Sequence, residues 1–166
     1  MGWFGQYRII NFMFRLYIDA DACPVKDECY RVAKRYAWPV IVVANSQIGI
    51  PADPAVTMVV RLGFGAADDW IAEQIGPGDI AITVDVPLAA RCVEKGAVIV
   101  TNKGHLYTPG NIGEALAVRN LNEELRLAGV LGAGGPAPMN GKDRSKFLAK
   151  LDEAMNAAKR QFPAVR

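Results

Sequence analysis

A chain of 166 residues fits a single domain with a substantial hydrophobic core. With 51% apolar and 22% charged residues it has the composition of a globular protein, which argues against a disordered or fibrous chain. The formal charge of +2 neither demands nor excludes a nucleic-acid partner, so any basic surface has to be local.

Residues 1–14 read as an N-terminal extension ahead of one domain at 15–166, with Met13 a possible start just before the first strand. They lack the apolar core and small-residue cleavage site of a secretory signal. No stretch approaches the roughly 20 apolar residues of a spanning helix, so no membrane partner is expected. The periodicity then predicts a strand at 15–20 and a helix at 24–37 with Val25, Cys29, Val32, Ala33 and Tyr36 on one face. Pro39 opens a strand at 40–44 that ends at Asn45 and Ser46. A strand at 56–61, a helix at 66–75, the turn Gly76-Pro77-Gly78-Asp79 and a strand at 80–84 ending at Asp85 follow. Pro87 begins a helix that stops at Gly96, a natural C′ glycine. A strand at 97–100 completes the set, and a loop through Gly104 and Pro109 leads to a helix at 112–128. Residues 129–141 form a Gly/Pro-rich loop before a last helix at 142–160, whose start carries Lys142, Arg144, Lys146 and Lys150. Those cations read first as a solvated face and second as a grip on nucleic acid.

Strands alternating with helices of ten to fifteen residues imply βαβ units and a parallel sheet. The apolar strands suit a sheet covered on both faces. The fold class is therefore α/β: a three-layer α/β/α domain around a mainly parallel, doubly wound, Rossmann-like sheet.

Asp19 and Asp21 close the first strand. Residues two apart share a strand face, and the carboxyl ends of the strands are where open α/β sheets bind ligands. The plainer alternative is a turn in which Asp21 caps the next helix. Asp85 ends its own strand at the same edge. Asp68 and Asp69 fall in the first turn of the 66–75 helix, where Asp68 flanks the apolar stripe of Ala67, Trp70, Ile71 and Ile75 and Asp69 points away. Acids at a helix start are also ordinary dipole compensation. A set of carboxylates at one edge repels itself unless a hard cation is present, and all-oxygen ligation selects Mg²⁺ or Mn²⁺. Such an ion suits phosphoryl chemistry.

Three widely spaced cysteines, Cys23, Cys29 and Cys92, lack zinc-ligand spacing and point to a reducing, cytoplasmic compartment. Cys23 is a buried structural thiol rather than a nucleophile in this reading. His105 is the only histidine, which excludes zinc sites built on several histidines. It reads as a surface or packing residue that could alternatively touch a phosphate. Asn45 and Ser46 are candidate substrate contacts or simply a turn. Arg61, Arg91 and Arg119 are scattered candidates for phosphate contact, each equally at home on a solvated surface.

From Leu16 to about Leu151 the chain closely resembles the YaiI/YqxD family of bacterial proteins. The resemblance is carried by Tyr-Ile-Asp-Ala-Asp-Ala-Cys-Pro-Val (17–25), Val-Ala-Asn-Ser (43–46), Gly-Ala-Ala-Asp-Asp-Trp-Ile-Ala (65–72), Thr-Val-Asp-Val-Pro-Leu-Ala (83–89), Leu-Tyr-Thr-Pro-Gly-Asn-Ile (106–112), Gly-Gly-Pro-Ala-Pro (134–138) and Asp-Arg-Ser-Lys-Phe-Leu (143–148). A wider resemblance supplies a chemistry. Thr83-x-Asp85-x-x-Leu88-Ala89, with a glycine at 96 and a strand beyond, looks like the central motif of PIN-like metal-dependent nucleases. That likeness implies a PIN-like sheet and a Mg²⁺- or Mn²⁺-dependent phosphodiesterase acting on RNA more readily than DNA. It makes Asp19 and Asp85 metal ligands, has Asp21 and Asp68 (or Asp69) supplement them, and has Thr83 support the site; Arg91 is a candidate substrate contact on the residues alone. The second aspartate of the first motif and the 129–160 segment depart from the PIN pattern. Two alternatives stay open. A phosphatase resembling the haloacid dehalogenase superfamily would use Asp19 as nucleophile. A non-catalytic nucleic-acid-binding or regulatory module would keep the acids for metal-stabilised folding.

Overall fold

The computed structural model describes residues 14–21, 23–132 and 137–162. The expected extension, apart from Phe14, and residues 133–136 of the Gly/Pro-rich loop lie outside the described residues. Within them the order is β1 (Leu16–Asp19), α1 (Lys26–Arg35), β2 (Val40–Ala44), β3 (Val56–Val60), α2 (Ala66–Gln74), β4 (Ile80–Ile82), α3 (Val86–Glu94), β5 (Val98–Val100), β6 (Leu106–Tyr107), α4 (Ile112–Leu127) and α5 (Gly141–Gln161). The strands form one sheet in the order β3-β2-β1-β4-β5-β6. All neighbours are parallel except β5 and β6, where Ile99 pairs with Tyr107 and Val100 with Leu106 in antiparallel register. The expected α/β sheet is thus present, with β6 as a short addition inside what reads from sequence as a loop.

Alternation along the strands divides the core in two. Leu16, Ile18, Val40, Val42, Ile80 and Ile82 face one way, against α1 and α5 through Cys29, Val32, Phe147, Leu151 and Met155. Tyr17, Ile41, Val43, Ala81 and Ile99 face the other way, against α2 and α3 through Ala67, Ile71, Leu88 and Cys92. Burying apolar side chains on both faces explains why these strands are continuous apolar runs. Helix α4 stands apart: it packs on α3 and buries none of its own residues.

The chain winds outward from β1 through β2 to β3, then returns to place β4 on the other side of β1. The β1/β4 junction is therefore the switch point of the sheet, and its carboxyl edge opens a crevice between diverging loops.

The opposite edge is held by a buried acid. Asp79 is fully buried, and its two oxygens accept from the backbone N–H groups of Arg15 (3.0 Å) and Gly76 (2.9 Å). It ties the Gly76–Asp79 turn to the entry of β1. Beside it Gly78 has φ +84, and a Cβ there would run into the Phe14 ring, so the turn favours glycine. An Asp79→Ala variant strands two buried donors and is expected to lose about 2–4 kcal/mol. Urea denaturation measures this, and a loss below about 0.5 kcal/mol would mean that water replaces the carboxylate.

Candidate active site at the carboxyl edge

Asp19 is the last residue of β1 and is half-buried. The buried Thr83, just past β4, donates its hydroxyl to Asp19 Oδ2 at 2.7 Å. The same Thr83 Oγ1 accepts from the Asp85 N–H at 3.1 Å. One side chain thus clamps the end of β1 to the β4–α3 connection. Asp85 is the N-cap of α3, its Oδ1 accepting from Leu88 N–H at 2.9 Å, with Pro87 in the first turn. Capping occupies one carboxylate oxygen and fixes the side chain.

Asp21 does not cap α1. Val25 holds that position without any side-chain cap, and Asp21 Oδ2 instead accepts from Asn45 N–H at 3.3 Å. The exposed Asp21 therefore links the β1–α1 connection to the end of β2. Asn45 and the neighbouring Ser46 are exposed there. In α2, Asp68 is half-buried, while Asp69 is exposed and pairs with Arg91 Nη1 at 2.7 Å. Asp69 and Arg91 thus pair with each other at the surface. Arg61, the other arginine candidate near this edge, stacks over Trp70 with its guanidinium 5.4 Å from the ring centroid.

The acids influence one another. Burial pushes Asp19 up to about 6 from 3.8; the Thr83 hydrogen bond opposes this, and the charges of Asp68, Asp21 and Asp85 add to it. Asp68 is also raised, first by burial and then by Asp85, with Arg91 opposing. Four carboxylates from three strand connections therefore lie within electrostatic reach at one edge. Among the described residues no three His, Cys, Asp or Glu side chains are already gathered as a ligand set for a metal ion.

Asp19, Asp21, Cys23, Thr83, Val84 and Asn102 line a small pocket at this edge. Asn102, in the turn after β5, escaped the sequence reading. Its signal was the strand-end rule itself, because 101–103 follow β5 as 83–85 follow β4. Cys23 is buried, and burial raises its thiol pKa, so it lacks the thiolate character of a nucleophile. His105 is exposed and lies in the tight turn between β5 and β6, away from this pocket, with its ring stacked on Tyr107. The cations at the start of α5 are partly engaged: Arg144 pairs with Glu28 at 3.1 Å and Lys150 with Glu153 at 3.2 Å.

The family model described as "Uncharacterized BCR, YaiI/YqxD family" matches residues 17–157, which include every acid of this edge. The chain belongs to the YaiI/YqxD family. Its relatives include a UPF0178 protein of Rhodopseudomonas palustris strain BisB18, 52% identical over 147 residues that cover 88% of this chain and 94% of the relative. A UPF0178 protein of Rhodospirillum centenum is 51% identical over 152 residues, covering 89% of this chain and 99% of the relative. One of Bradyrhizobium sp. strain ORS 278 is 51% identical over 150 residues, covering 90% and 91%. No solved structure matches the chain. The YaiI/YqxD match thus takes in the sheet, both core faces and α5 through Ala157. Among the described residues no helix is long and apolar enough to cross a membrane.

Proposed function

We propose that this YaiI/YqxD protein is a Mg²⁺- or Mn²⁺-dependent phosphodiesterase of PIN-like type acting on RNA. The observation that supports it is the Thr83 clamp, which fixes Asp19 and Asp85 at the switch point of a parallel sheet, with Asp21 and Asp68 in electrostatic contact. Such an array is unfavourable by itself, and its donors are all hard oxygens. Mg²⁺ uses one or two carboxylates and keeps several waters, so it does not require three side chains gathered in advance. Asp19 and Asp85 would hold the ion, which would supply charge neutralisation at a phosphoryl oxygen.

The chain's own groups do the rest. Thr83 orients Asp19, and the cap to Leu88 leaves Asp85 Oδ2 directed by a fixed backbone. Asp68, with its raised pKa, is a better proton acceptor than an ordinary carboxylate and would take the proton of the attacking water. Asp21 and the Asn45–Ser46 corner would position the substrate from the β2 side. No covalent enzyme intermediate is involved. The phosphatase alternative is disfavoured by the order of its parts: that superfamily puts a Thr/Ser and then a Lys before its acidic pair at the ends of successive strands, whereas here Asp68 and Asp69 precede Thr83 and sit in α2.

End-labelled single-stranded RNA incubated with the protein in Mn²⁺, Mg²⁺ or EDTA tests this. Cleavage is expected with either metal and none in EDTA, and Asp85→Asn is expected to lose it. Cleavage that persists in EDTA, or in Asp85→Asn, would refute the assignment.

A further inference from the structure

A groove of about 720 Å³ lies between β6 and α4. Val86, the residue after Asp85, lies in its lining. One wall is β6, with the rings of His105 and Tyr107 stacked at 6.5 Å and 26°. The other is a single face of α4, where lining residues recur at helical spacing from Glu114 to Arg126, about 18 Å along the axis. Both walls are fixed. Asn111 accepts from Thr108 N–H and donates to the Leu106 carbonyl (2.8 Å each), which locks the β6–α4 connection. Thr101 N–H donates to the His105 carbonyl at 2.8 Å and His105 N–H donates to Thr101 Oγ1 at 3.0 Å, which closes the β5–β6 turn.

We infer that this groove is the track of a single-stranded RNA segment leading away from the scissile phosphate. This rests on the proposed RNA substrate and adds where the strand runs. Three features of the groove suit that occupant. The exposed His105 ring, backed by the half-buried Tyr107, is a platform for an unstacked base, which a duplex does not offer. Arg119 on the opposite wall bonds only its neighbour Asn120, and no carboxylate among the described residues pairs with it, so its guanidinium is open to a phosphate. Arg126 pairs with Glu123 at 2.7 Å, and Glu114 faces the same space, so with Arg119 counted the groove carries no net charge. The strand is therefore held by stacking and one or two phosphates, with weak dependence on salt. Asn122 adds an amide able to meet base edges.

The test is anisotropy of a fluorescein-labelled 12-nucleotide single-stranded RNA in EDTA, with cleavage in Mn²⁺ measured in parallel. Arg119→Glu is expected to raise Kd at least tenfold, and His105→Ala about five- to twentyfold with partial recovery in His105→Phe. The slope of log Kd against log salt should be about one, as one or two single-strand phosphates predict, and should fall in Arg119→Glu. Both side chains are exposed, and unchanged melting temperatures would show that the fold is intact. Variants that bind within twofold of wild type overturn the groove assignment. If such variants accompany normal metal-dependent cleavage, the nuclease reading stands and only the track is wrong. Loss of binding in the variants of a protein that never cleaves supports the track and sinks the nuclease. Failure of the wild type to bind, or a concentration-dependent doubling of mass with no effect of RNA, also overturns the track, the latter in favour of a second copy against α4.

Discussion

An Asp19→Asn variant is expected to melt about 2–12 °C above the wild type in EDTA at pH 7.5, at about 2–4 °C per kcal/mol for a chain of this size. The same variant should lose metal-dependent cleavage by a factor on the order of a thousand, the scale of removing one preorganised charge contact. The stability gain follows from linkage. Asp19 holds its proton up to about 6 in the folded chain, against an ordinary value of 3.8. Its folded pKa is raised, so the folded protein binds this proton more tightly than the unfolded chain does. The ionised carboxylate therefore costs stability above pH 6, and the cost is relieved as pH falls from about 6 toward 4. With partial exposure discounted, that cost is about 1–3 kcal/mol. Asparagine keeps an acceptor for the Thr83 hydroxyl, removes the charge, and gives its amide hydrogens to the surrounding acids. In the wild type, Mn²⁺ at a hundredfold excess over its Kd should raise stability by about 2.7 kcal/mol, and in the variant by much less. Thermal melts from pH 4 to 8, with and without Mn²⁺, separate these terms. A variant that melts below wild type in EDTA would make Asp19 a structural acid, and retained cleavage would remove it from the site.

The coarse architecture was legible because β1, β2 and β4 are apolar runs, each followed by closely spaced polar residues. Asp19-x-Asp21, Asn45-Ser46 and Thr83-x-Asp85 all mark strand ends, and the sheet brings those ends to one edge. The helical stripe of α2 likewise distinguished a half-buried Asp68 from an exposed Asp69. What stayed hidden has physical causes. A two-residue strand such as β6 has no period to detect, so its antiparallel pairing reads as loop. Asp79 stands in a Gly-Pro-Gly turn, where an acid normally means solvent; only the packing of Phe14 and the two backbone donors make it a buried anchor. Asp85 acts at once as helix cap and candidate ligand, two roles that one spacing satisfies together. The groove along α4 was invisible because it is made by a face that packs against nothing, and periodicity reports only faces that are buried.

The second large effect is expected at Phe147. Helix α5 begins with a capping box, in which the Asn140 side chain accepts from Asp143 N–H at 2.8 Å and Asp143 Oδ2 accepts from Asn140 N–H at 3.3 Å. Its stripe of Phe147, Leu151, Ala154, Met155 and Ala158 then lies across the same face of the sheet as α1. Phe147 is fully buried near the start of that stripe. One turn earlier Arg144 reaches Glu28 and the Pro24 carbonyl, at 3.1 and 2.9 Å, on the segment that follows Asp21. On the residue just before it, the carbonyl oxygen of Lys146 sits 3.0 Å from where a Cβ on Gly104 would be, against the β5–β6 turn. Phe147 therefore pins α5 beneath both the β1–α1 connection and the turn that carries Asn102. Phe147→Ala leaves a cavity that the sheet cannot collapse into, and the expected loss is about 3–5 kcal/mol, against about 1 kcal/mol for Phe147→Leu. Denaturant titration with both variants measures the difference. Because α5 buttresses two of the loops around the acid edge, Phe147→Ala should also weaken Mn²⁺ binding at temperatures where the domain is still folded. If stability falls while metal affinity is untouched, α5 serves the core alone, and the edge is organised from β1 and β4 without it.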